Sequence, residues 1–336
     1  MRPPVIDLQP LVTEIVRTVA RHNLGEPGRY CRWLWQDKKG KRWVGLDPYG
    51  CADALNLLYT INHFPRDSDE RAAFVRALRE FQCSDTGLWE EGTHHPLHTT
   101  AHCIAALELL DARPAHRLRA LEPLHKREGL EHFLDTLDWT AQPWSASHQG
   151  AGVYAALVLA GEVPPEWEDW YFAWLWEEAD PETGYWRRGG QGPEAAPAFH
   201  HLAGSFHYLF NHEYARRPLR HPGLVVDSCL LLAHPAPLPG FGRSVGFAEI
   251  DWVYCLTRSL QQCGRRWREC RQALLDFAED YTAYLLGLDF ARDEGWNDLH
   301  CLFGAACCLA ELQRVLPGVL RTDRPLRLVL DRRPFI

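Results

Sequence analysis

No apolar run in the 336-residue chain reaches the roughly 18 residues that a membrane-spanning helix needs, because charges or prolines break each one. The opening stretch, Met1 to Leu11, lacks the cationic and apolar pattern of a secretory signal. Basic residues do not predominate: 36 Lys and Arg against 44 Asp and Glu give a net charge of −8. That argues against a general polyanion binder, since nucleic-acid affinity rests on neutralising phosphates. The short basic patch Arg265-Arg266-Trp267-Arg268 reads as a solvated helix start. The 11 cysteines are odd in number, scattered, and set in apolar segments such as Gly304-Ala305-Ala306-Cys307-Cys308-Leu309, so buried thiols are expected and a disulfide framework is not. Together these absences predict a cytoplasmic protein, not inserted in membranes and without a nucleic-acid partner.

Strand-type alternation is missing as well, until Leu326-Arg327-Leu328-Val329-Leu330, which reads as a terminal strand or an extended strap within a tail at about 318–336. What the chain does contain is helix-forming sequence of two kinds. Asp69 to Gln82 is amphipathic, with Phe74, Leu78 and Phe81 at helical spacing and Arg71, Arg76, Arg79 and Glu80 opposite. His300 to Leu312 is apolar nearly all round, and so is Cys51 to Ile61 apart from Asp53, Asn56 and Thr60; a helix apolar on every side must be buried on every side. Inner helices are expected at about 47–63, 98–111, 147–160, 197–213, 247–262 and 298–314. Outer helices are expected at about 5–22, 68–82, 115–136, 165–178, 222–234 and 266–287. Six of each predict an all-α fold, one (α/α)6 toroid domain over 1–336 with the inner-helix N-termini round one mouth.

A turn of an acidic or small residue, then Gly, then Trp recurs at intervals of roughly 40 to 60 residues, the mark of repeated supersecondary units. It is present at Asp37 to Trp43, Asp85-Thr86-Gly87-Leu88-Trp89, Asp180 to Trp186 and Asp293-Glu294-Gly295-Trp296, with a looser copy at Asp138-Trp139 to Trp144. The form Gln82-x-x-Asp85-x-Gly87-x-Trp89 resembles the repeat motif of the squalene-cyclase and protein-prenyltransferase group of α/α toroids. The resemblance covers most of the chain through repeat geometry and implies the fold, not the activity, because toroids of this shape also serve carbohydrate-active hydrolases, lyases and epimerases. From the transferase side it implies a zinc option. Asp298-Leu299-His300-Cys301-Leu302 resembles the late His stretch, and Asp227-Ser228-Cys229 resembles the Asp-x-Cys half, although Asp227 and Cys229 fall on an outer helix. The Asp-x-Asp-Asp and Asp-Asp-x-x-Asp signatures of isoprenoid chemistry are absent, as is any Gly-rich phosphate loop.

Asp47, His148 and His300 each stand four residues after a tryptophan, Trp43, Trp144 and Trp296, where an inner helix begins. His94, His95, His98 and His102 follow Trp89; His200, His201 and His207 follow Trp186; Glu249 and Asp251 precede Tyr254. Imidazoles titrate near neutral pH and carboxylates orient or activate them, so this pattern points to acid–base chemistry. The catalytic candidates are His148, His300, Asp251, Glu249, Asp47 and His98, with Asp47 and Asp298 also suited to helix caps. Arg187 and Arg188, in a Gly-rich loop, would clamp an anion, and His201, Tyr254 and Trp296 complete the expected substrate contacts. Trp33, Trp35, Trp167, Trp170, Trp174 and Trp176 are expected at the outer surface or entry loops. The expected activity is a lyase, hydrolase or epimerase working on a small-molecule or oligosaccharide substrate, with no cofactor unless zinc is used. An isoprenoid cyclase or transferase and a non-catalytic scaffold are the alternatives.

Overall fold

The computed structural model describes residues 5–187, 194–233 and 240–336. In chain order the helices are α1 (Gln9–His22), α2 (Pro48–Thr60), α3 (Ser68–Glu80), α4 (Pro96–Glu108), α5 (Arg127–Thr136), α6 (Pro143–Ala160), α7 (Pro165–Glu178), α8 (Ala198–Ala215), α9 (Pro222–Ala233), α10 (Ala248–Cys263), α11 (Trp267–Leu286), α12 (Glu294–Asn297), α13 (Leu299–Val315) and α14 (Val329–Arg332). The chain is mostly helical, as the all-α expectation has it. α2, α4, α6, α8 and α13 are buried along nearly their whole length. α3 turns only Phe74, Ala77 and Leu78 inward. No described helix is long and apolar enough to cross a membrane. All eleven cysteines are free thiols.

The chain groups into two compact units. The first comprises residues 1–80, 238–253 and 268–329, and its centre is α2 packed on α13, with α1 against both. The second comprises residues 81–237, 254–267 and 330–336, and its centre is the stack of α4 on α6 and α6 on α8.

The turn motif has a physical reading in the second unit. The Gln82 amide donates to the carbonyls of Gly87 and His116, both at 2.8 Å, and its oxygen accepts from the amides of Ala115 and His116. Gly87 sits at φ +79°, and a Cβ there would lie 2.0 Å from the Arg117 carbonyl oxygen. The Trp89 amide then donates to Thr100 Oγ1 on α4 at 2.9 Å. The turn before Trp186 repeats this plan: Gly184 has φ +78°, its amide donates to the Asp180 carbonyl, and the Trp186 amide donates to Ser205 Oγ on α8. Each tryptophan is thereby driven into the core, where burying a large aromatic ring contributes about 3 kcal/mol.

Four expectations are corrected. The Asp37 turn leaves Trp43 exposed at 65 %, and Gly295 lies inside the short helix α12, so neither is a copy of the Gly87 turn. Residues 326–330 form no strand, because the Leu326 amide is taken by Gln313 Oε1 and the Arg327 amide by the Thr60 carbonyl, after which α14 begins. The strand pair is instead β1 (Ile6–Asp7) with β2 (Leu320–Arg321), parallel, with Ile6 opposite Leu320. Trp33, Trp167 and Trp174 are buried: the indoles of Trp167 and Trp174 donate to the Leu124 carbonyl and to Asp135, so α7 faces the preceding helical segment.

Candidate functional site

In the first unit, four side chains build an imidazole–carboxylate site. Asp298 caps α13, its Oδ1 accepting from the His300 amide at 2.9 Å. The guanidinium of Arg32 forks onto the same carboxylate, Nε to Oδ1 at 2.9 Å and an Nη2 bond to Oδ2 at 3.0 Å. The Arg32 carbonyl accepts from the Leu299 amide, so backbone and side chain fix the cap together. Burial opposes ionisation of both partners. Asp298 nonetheless holds the Arg32 pKa above its ordinary value, and Arg32 holds the Asp298 carboxyl below the usual carboxylate range. With the helix start fixed, His300 presents Nδ1 to Asp53 of α2, 3.3 Å from Oδ1 and 3.2 Å from Oδ2. A carboxylate only accepts, so towards an ionised Asp53 it is Nδ1–H that donates, leaving Nε2 as the second nitrogen of the ring. Tyr49, edge-on at 4.8 Å, and Phe247 at 4.5 Å between ring centroids wall the imidazole in.

The second unit gathers imidazoles from three helices. His98 of α4, His148 of α6 and His207 of α8 have ring centroids 4.4 Å apart for the first two and 4.8 Å for the last two. One nitrogen from each lies within 4.8 Å of the others, the spacing of a set able to hold a metal ion. His207 Nδ1 lies 3.2 Å from the Ala203 carbonyl and 3.1 Å from Ser147 Oγ. The Ser147 hydroxyl itself donates to the Trp144 carbonyl, so towards His207 it accepts. His94 stacks on His98 at 4.8 Å and is held through Nδ1 by Glu91 at 3.1 Å. Burial pushes the Glu91 carboxyl up, but the hydrogen bonds from His94 and Thr93 prevail and hold it down to about 2. Phe335 covers one side of His98 at 4.8 Å, while His94, His148 and Trp144 stay part-exposed.

Protein-family models, curated proteins and solved structures all lack a match to this chain. Its chemistry is therefore read from these groups alone.

The structure thus brings His98 together with His148, and gives His300 the carboxylate of Asp53. Glu249 is bound by the Gly242 amide and Ser244 Oγ, and burial raises its pKa. Asp251 is fully buried beside it, its pKa raised by burial and then by the Glu249 charge. Asp47 caps α2, accepting from the Gly50 amide at 3.0 Å. The interval of four after tryptophan gives no common register: Asp47 is a cap, His300 the second residue of α13 and His148 the sixth of α6, which begins before Trp144. Arg187 pairs with Asp180 and Glu182, and Arg188 lies outside the described residues. His201 is buried, with its pKa lowered by burial. Tyr254 packs under the Arg258 guanidinium, and the Trp296 indole donates to Thr18 Oγ1. Of the zinc set implied by resemblance, His300 pairs with Asp53, Asp227 pairs with Arg265 and Arg266, and Cys229 lies against the Tyr185 hydroxyl. Sequence reasoning passed over Arg32 and noted Asp53 only as an exception. The available signal was an aspartate inside a helix otherwise apolar on every side.

Proposed function

We propose that this chain is an enzyme performing acid–base catalysis on a polar, carbohydrate-type substrate, as a hydrolase, lyase or epimerase. The observation that carries the reading is the Asp53–His300 pair, whose Nδ1–Oδ1 hydrogen bond at 3.3 Å orients the imidazole as general acid or base. The Arg32–Asp298 pair holds the start of α13, and with it His300, in place. Support for a hydroxylated, ring-shaped substrate comes from the same unit, where the aromatic rings of Tyr49 and Phe247 stand beside the imidazole and its carboxylate. The alternation of fully buried and amphipathic helices supports a six-hairpin toroid as the frame.

A thermal-shift panel of acidic and neutral oligosaccharides against prenyl diphosphates tests the substrate class. A ligand at a hundredfold excess over its Kd stabilises by about 2.7 kcal/mol. Stabilisation by sugars supports the reading, and stabilisation by prenyl diphosphates replaces it with isoprenoid chemistry. Once a sugar is turned over, His300→Ala in a folded protein should abolish activity; full activity would remove the dyad from the mechanism.

A further inference from the structure

The imidazoles of the second unit support a different chemistry. We propose that His98, His148 and His207 form a mononuclear site for a divalent first-row transition metal of the zinc type, with a fourth position open to water or a small anion. The proposal uses none of the residues of the Asp53–His300 dyad and does not depend on it.

Three observations support it. First, the donors come from three separate buried helices that pack directly on one another, α4 on α6 and α6 on α8, so their convergence belongs to the core of the unit. Second, the donor set is chemically selective. Three neutral imidazoles suit zinc, cobalt, nickel or copper and disfavour magnesium and calcium, which prefer oxygen. Nitrogens at up to 4.8 Å need ring movements on the order of 1 Å to reach the roughly 3.4 Å edge set by zinc–nitrogen bonds of about 2.0–2.1 Å. Third, an outer shell is in place. The Nδ1–H of His207 is given to the Ala203 carbonyl and Ser147 Oγ, which fixes Nε2 as its donor, as ligating histidines elsewhere are fixed by a second hydrogen bond. His98 and His207 are buried while His148 is part-exposed, so the site is open on the His148 side, in keeping with catalytic rather than structural zinc.

The test uses the full chain stripped of metal with a chelator. Titration with ZnCl2 in a calorimeter should give one site per chain, and CoCl2 should give the visible bands of a low-coordinate cobalt ion. MgCl2 and CaCl2 should give neither. His98→Ala, His148→Ala and His207→Ala should each weaken zinc binding by about a hundredfold or more, Ser147→Ala by about tenfold, and His132→Ala, an exposed residue of α5, not at all. Circular dichroism confirms that each variant is folded. Because the cobalt spectrum is read on the unaltered chain, a variant that fails to fold does not protect the proposal. Absence of zinc heat and cobalt bands in the unaltered protein overturns it, as does zinc affinity unchanged in the folded His98→Ala and His207→Ala variants.

Discussion

The two histidine clusters handle charge in opposite ways. In the first unit each cationic or protonatable group meets a carboxylate: Arg32 with Asp298, and His300 with Asp53. In the second unit, imidazole meets imidazole, and the carboxylate of Glu91 is given to His94. A charge-matched cluster is complete in itself and stiffens a helix start. The contrast teaches that histidine content alone does not announce one chemistry; the partners that each imidazole meets differ between the two clusters.

The sharpest way to break the comparison is to unbalance the matched cluster. Asp298→Ala takes the forked carboxylate from the buried Arg32 guanidinium and removes the α13 cap, which should cost about 3–5 kcal/mol in urea melts. Arg32→Met combined with Asp298→Leu should recover much of that loss, because the penalty is the buried charge rather than the missing attraction.

Acid should act next, and on both units. His22 in the first and His212 in the second have pKa values lowered to about 4, each mainly by burial, against 6.5 when unfolded. Between those values the unfolded chain binds the extra proton, so the stability each contributes is complete above pH 6.5 and is lost as the pH falls towards 4. The loss should be about 3 kcal/mol per imidazole, and His212→Phe should flatten the acid limb of a stability–pH curve.

Smaller effects separate the motif from the site. Gln82→Ala leaves the amides of Ala115 and His116 and the carbonyls of Gly87 and His116 without their partner, at a cost of about 2 kcal/mol in denaturant unfolding. Asp53→Asn should leave stability nearly unchanged while lowering kcat by roughly a hundredfold or more, since an amide brings no charge to stabilise the imidazolium and can turn its NH2 to Nδ1, setting the other tautomer. Measured on a sugar that the proposed activity turns over, an unaltered kcat would reassign Asp53 to packing.

The helices were legible because burial has a period: α2 and α13 lack a polar face, and α3 has one. Helix starts were legible at Asp47 and Asp298, where an acidic side chain precedes the first turn. The turns were half legible. A tryptophan follows Gly87 by two residues and Gly40 by three, but only at Gly87 do Gln82 and Thr100 supply the partners that draw the tryptophan inward. The site was least legible, because its pairs are distant in the chain. Asp53 meets His300 across 247 residues and Arg32 meets Asp298 across 266, and no local pattern reports such closures.

Both units are discontinuous in the chain, and this has a consequence for synthesis. The first waits for residues 268–329 to supply α13, and the second, although most of it lies between 81 and 237, waits for residues 330–336 to bring Phe335 against His98. A ribosome that has released only the first 267 residues therefore holds two unfinished cores with apolar helices uncovered. The nascent chain must stay protected until residues 330–336 emerge, because neither core can be completed by the segments made before residue 268 alone.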